Sequence, residues 1–109
     1  MMISKYQSMW LLVLFDLPVM TKKERKVATQ FRNQLISEGY IMIQYSCYLR
    51  YCPTRALRDK FESRLSKIIP EEGFVVAFTL TDAQYADAAW YYGTTPVKSQ
   101  QIPGLFDEL

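Results

Sequence analysis

The chain has 109 residues, half of them hydrophobic and 15% aromatic, which suits one compact domain with a real core and excludes a disordered chain. It contains no histidine, so a Ser-His dyad, an HExxH zinc site and an imidazole general base are all excluded, and any catalysis must use carboxylates, Tyr, Lys, Cys or a metal held by oxygen ligands. The net charge of +2 hides an asymmetry: residues 1–69 carry twelve of the thirteen Lys and Arg against five of the eleven acids, whereas residues 70–109 carry only Lys98 against the other six.

A basic body with an acidic tail fits a polyanion partner as well as an ordinary solvated surface. A domain this small is only marginally stable alone, so dimerisation would help it. Residues 1–8 read as a polar lead-in. The apolar run from Met9 to Phe15 is too short to cross a bilayer, and Asp16 and Pro18 stand where a signal peptide would need small residues. A cytoplasmic setting without membrane contact is therefore expected.

Met9 to Phe15 reads as a fully buried strand that ends on Asp16. After the loop "LPVMT", Thr21 followed three residues later by Glu24 is a capping-box pattern. The helix it opens should run to about Glu38 and stop at Gly39, with Val27, Phe31 and Leu35 as its buried stripe and Ala28 beside them. Lys22, Lys23, Arg25, Lys26 and Arg32 lie mostly off that stripe. "YIMIQYSCYLRYC" is too long for one strand and divides into strands near 40–45 and 47–51, with a tight bend at Ser46. Its cysteines, Cys47 and Cys52, are too few to close a zinc site and should face opposite sides as free thiols. Thr54 caps a second helix with Leu57, Phe61, Leu65 and Ile68 inward and an Arg58–Glu62 pair on its surface. "FVVAFTLT" is the next buried strand. Thr81 or Asp82 opens a short helical turn, and "WYYG" offers a last short strand.

Strand, helix, strand, strand, helix, strand is the order of a ferredoxin-like α+β fold, βαββαβ, with a four-stranded antiparallel sheet and two helices on one face. The core is expected over 1–92, including the short extra strand, and a tail over 93–109 in which "IPGLF" can dock on a surface.

Three groups of residues can carry function. Asp16, at the C-terminal end of a strand, sits where sites are commonly built; two copies facing each other across a symmetric dimer, with water and phosphate oxygens, would form a divalent site. The plainer alternative is that Asp16 only hydrogen-bonds loop amides. The basic residues Lys22, Lys23, Arg25, Lys26 and Arg32, with Arg50, Arg55, Arg58 and Arg64, can follow a phosphate backbone, or simply solubilise the surface. Tyr40, Tyr45, Tyr48 and Tyr51 can stack on bases, or pack the sheet and an interface.

"LLVLFDLP" before a basic helix, followed by "SEGYIMIQYSCYLR", resembles the small CRISPR-associated adaptation proteins that partner the CRISPR integrase, especially the variants found beside large RNA-guided nucleases. The resemblance spans roughly residues 9–92. It implies a ferredoxin-like homodimer, a magnesium ion between the two copies of Asp16, and a role in spacer acquisition in which the dimer bridges two integrase dimers and holds duplex DNA. It also implies, as an alternative, a metal-dependent endonuclease acting through Asp16 on RNA or duplex DNA, and a tail that contacts the integrase. A ferredoxin-like nucleic-acid- or ligand-binding module outside CRISPR stays open beside these readings.

Overall fold

The computed structural model describes residues 8–98, so the expectations for the lead-in before Ser8 and for "IPGLF" lie outside the described residues. The main elements are β1 (Met9–Asp16), α1 (Lys22–Ser37), β2 (Ile41–Gln44), β3 (Cys47–Cys52), α2 (Arg55–Ser66) and β4 (Phe74–Thr81). The strands form one sheet in the order β2-β3-β1-β4, with every neighbouring pair antiparallel. This is the ferredoxin-like arrangement, and it makes β4 an edge strand.

The local signals behave as their chemistry requires. Thr21 Oγ1 accepts from the Glu24 amide at 3.0 Å, and Glu24 Oε1 accepts from the Thr21 amide at 2.9 Å. Thr54 caps α2 in the same way, accepting from the Leu57 amide. Gly39, at φ +92°, takes the left-handed conformation that ends α1. The β2–β3 bend has neither Gly nor Pro; Ser46 itself adopts φ +68°.

The core lies between the helices and one face of the sheet. Met9, Leu11, Val13 and Phe15 from β1 meet Ala28, Phe31 and Leu35 from α1 and Leu65 from α2, with Phe61 and Ile68 packed against them. Val27, expected in this stripe, is instead exposed. It borders a surface groove with Leu17, Pro18, Ile69 and Pro70, because Ala28 takes the inward position at the same level of the helix.

The larger correction concerns the strands read as fully buried. β1 alternates: its odd-numbered residues are buried, while Trp10, Leu12 and Leu14 are half-buried and Asp16 is exposed. β4 leaves Phe74, Val76 and Phe78 exposed on this second face, opposite Asp16, Leu14 and Leu12 respectively. Both faces of β1 are apolar, but the two helices cover only one of them.

The chain continues as α3 (Asp82–Ala86), β5 (Trp90–Tyr92) and β6 (Thr95–Val97), the last two paired as a hairpin. β5 is the expected short strand; β6 lies beyond residue 92, in the segment read as tail. α3 closes the Trp10 end of the second face. The Trp10 ring stacks on Tyr85 with centroids 4.2 Å apart, and its Nε1 donates to Asp82 at 2.9 Å. Ser8 also donates to Asp82. No helix among the described residues is long and apolar enough to cross a membrane.

Candidate metal and nucleic-acid site

Asp16 stands at the far end of this second face. The main chain is pinned there from two sides. The Phe15 amide donates to the Ser46 carbonyl at 3.1 Å, and Gly73 presses so close that a Cβ there would lie 2.6 Å from the Asp16 carbonyl oxygen. The carboxylate itself is exposed and has no hydrogen-bond or ionic partner among the described residues. The loop-amide alternative therefore finds no support: the loop after β1 is tied instead by Glu24 and Arg25, which bond the Met20 and Thr21 amides and the Val19 and Met20 carbonyls.

No group of three or more potential metal-ligating side chains occurs among the described residues. One chain thus offers a divalent cation a single carboxylate, too few oxygens for a firm site, although an exposed and unpartnered acid is available to be shared. The thiols do not compete for the chemistry. Cys47 and Cys52 are free and buried, opposite Leu14 and Met9 respectively and hence on opposite faces. Burial pushes both thiols above their ordinary value, which keeps them protonated near neutral pH.

The basic residues separate into distinct groups. Lys22, Lys23 and Lys26 are exposed on the first turns of α1 and, with Arg25, border a shallow surface hollow. Arg25 spends part of its guanidinium on the Val19 and Met20 carbonyls. Arg55 is exposed at the start of α2. Arg50 lies 3.8 Å from the Phe61 ring centroid and bonds the Glu38 and Tyr51 carbonyls, joining α1, β3 and α2. Arg58 bonds Thr79 on β4 and pairs with Asp59 and Glu62. Arg64 makes a two-pronged pair with Glu38. Arg32 lies over the ring of Tyr45, 4.2 Å from its centroid.

Of the tyrosines, Tyr40 and Tyr48 are buried and Tyr51 packs against Trp10. Burial pushes the Tyr40 hydroxyl up to about 12. Tyr45 presents an open ring, 73% exposed. The Arg32–Tyr45 contact and the role of Gly73 beneath Asp16 have no signature in the sequence, because both depend on which segments the fold brings together. The exposure of β4 had a signal: its residues Phe74, Val76, Phe78 and Leu80 make one face wholly apolar while Val75 and Ala77 are apolar on the other, so the strand needs cover on two faces, and two helices on one face supply one.

A family described as CRISPR associated protein Cas2 matches residues 9–88. The chain belongs to the Cas2 family. It is 42% identical to a CRISPR-associated endoribonuclease Cas2 of Paracidovorax avenae, over 97% of this chain and 98% of that protein. It is 37% identical to the protein of the same name from Flavobacterium psychrophilum, over 91% and 86% of the two chains. A third such relative, from Ligilactobacillus salivarius, is 44% identical over 78% and 84%. Membership makes this a CRISPR-associated adaptation protein and removes the reading of a module unrelated to CRISPR. The matched span runs from the start of β1 past α3, so it includes Asp16, both large helices and the edge strand β4.

Proposed function

We propose that the protein acts in spacer acquisition as a homodimeric scaffold that holds duplex DNA between integrase dimers. The observation that carries this reading is the second face of the sheet, where Phe74, Val76 and Phe78 stand exposed on an edge strand beside Asp16. Contiguous apolar surface of this kind favours burial against another protein surface, and a second copy of the same face is the simplest complement. In such a dimer the Asp16 carboxylates of two copies approach each other, and a magnesium ion shared between them would relieve their repulsion. Lys22, Lys23 and Lys26 then form basic surfaces on the outer, helical sides of the dimer, where a duplex can lie.

A second reading is favoured by the unpartnered Asp16 carboxylate and by the endoribonuclease names of the relatives: a metal-dependent endonuclease acting on RNA or duplex DNA. When bound, the ion would supply charge neutralisation and an activated water; Asp16 would hold it.

Asp16→Asn separates the two. The scaffold reading expects the purified variant to lose any metal-dependent cleavage while cells carrying it still acquire spacers. Loss of acquisition with the protein–DNA complex still formed would sink that reading and favour the nuclease.

A further inference from the structure

The six arginines differ in how much donor capacity they have left. Arg50, Arg58 and Arg64 are committed to carbonyls, a hydroxyl and carboxylates, and Arg25 to two carbonyls. Arg55 is exposed and has no partner among the described residues that would fix it. Arg32 alone among them is held in place without being consumed. Its guanidinium carbon lies 4.2 Å from the Tyr45 centroid and 6.0 Å from that of Phe15. Its Nε is buried without an acceptor, and it has no carboxylate partner among the described residues.

The contact is built into the end of the sheet that carries Asp16. Tyr45 belongs to the β2–β3 bend, where Ser46 takes φ +68° and its carbonyl accepts from the amide of Phe15, the residue before Asp16. An aromatic ring orients a guanidinium without neutralising it or occupying its N–H groups. The buried Nε is out of reach of a large ligand, but the terminal N–H groups are not among the buried unpaired atoms and have no carboxylate partner among the described residues. This half-buried cation is therefore left wanting an anion, and its planar end fits phosphate.

We propose that Arg32, held by the Tyr45 ring, is a phosphate seat for one phosphodiester of the duplex. This rests on the DNA-binding reading above and makes Arg32 a fixed contact, distinct from the flexible lysines of α1. Tyr45 is a positioning residue that acts through Arg32.

The test is titration of a fluorescently labelled 30-base-pair duplex with the full-length protein over a range of salt concentrations, with circular dichroism confirming the fold of each variant. Arg32→Ala should lower the slope of log affinity against log salt by about 0.9. Arg32→Lys, which keeps the charge and the alkyl stem, should retain the slope yet bind roughly tenfold more weakly. Tyr45→Phe should bind like the parent and Tyr45→Ala more weakly, with no further loss when Tyr45→Ala is added to Arg32→Ala.

Parental affinity in a folded Arg32→Ala overturns the proposal; should that variant not fold, parental affinity in Arg32→Lys does so. An additional loss from Tyr45→Ala in the Arg32→Ala background also overturns it, because the ring would then contact DNA by itself. Failure of the unmodified protein to bind any duplex overturns the DNA-binding reading as well, which distinguishes the two failures.

Discussion

The two faces of β1 are made of the same kind of residue and meet different fates. Met9, Leu11, Val13 and Phe15 are buried beneath α1 and α2. Trp10, Leu12 and Leu14 point the other way, beside Leu80, Phe78 and Val76 on β4, of which Phe78 and Val76 remain exposed. Hydrophobicity alone therefore does not say whether a residue completes the fold or awaits a partner; that depends on whether the chain has an element left to cover it. Here α3 covers the Trp10 end, and the Asp16 end is left with its apolar edge strand. The candidate chemistry and the uncovered surface coincide because both lie where the chain's own covering elements stop.

The sharpest way to break this comparison is to damage each face in turn. Phe31→Ala removes a ring that is 1% exposed and should lower the unfolding free energy by about 3–5 kcal/mol, independently of protein concentration. Phe78→Asp removes a ring that is 51% exposed. In an isolated chain it should cost about 0.5 kcal/mol, whereas in the proposed dimer it should halve the mass measured by light scattering. A parent protein that is monomeric at high concentration would show that the second face is only a solvent face. Next in size is Gly73→Ala. Its φ of +98° and its closeness to the Asp16 carbonyl leave no room for a Cβ, and the substitution should cost about 1–3 kcal/mol. Chemical unfolding checks the loss, and amide resonance shifts confined to the Asp16 end would show where the strain falls.

The contrast between the faces also explains what could be read from the sequence. Thr21 with Glu24, Thr54 and Gly39 are local signals, complete within one turn of chain, and each stands where its pattern placed it. Asp16 and the lysines stand out in the sequence because residue type and position carry their chemistry, and the fold leaves all of them exposed. For β4 the sequence signals that a second apolar face needs cover, but not whether that cover comes from the same chain or from another. Val27 failed for a related reason: a stripe repeating every four residues drifts around a helix, and Ala28 took the inner position. Arg32 looks like the other cations in the sequence, which does not show which guanidiniums the fold will occupy.

That last distinction divides the covered side into spent and unspent charge. Substituting Lys22, Lys23 and Lys26 together by Gln should flatten the salt dependence of duplex binding by about 0.9 for each phosphate contact removed. Arg64→Gln, whose guanidinium is engaged by Glu38, should leave the slope near that of the parent. Equal effects from the two helices would erase the distinction and place the DNA across both.

The smallest effect belongs to the Arg64–Glu38 pair itself, which links the C-terminal end of α1 to α2 on the outside of the covered side. The hydrogen bond from Arg64 holds the Glu38 carboxyl below its ordinary value of 4.5, against the opposing pull of partial burial. Because the folded carboxyl is the stronger acid, the unfolded chain binds more protons in the interval between the folded and unfolded values. The pair's contribution is therefore present above the unfolded value and is lost as pH falls through the folded one. Exposed pairs contribute little, since solvent and salt screen them. Glu38→Gln should accordingly lower the thermal midpoint slightly at pH 7 and leave it unchanged at a pH where the parent carboxyl is already protonated. A deficit that persists under acid conditions would mean that Glu38 matters through packing, and that even the outermost layer of the covered face contributes by shape more than by charge.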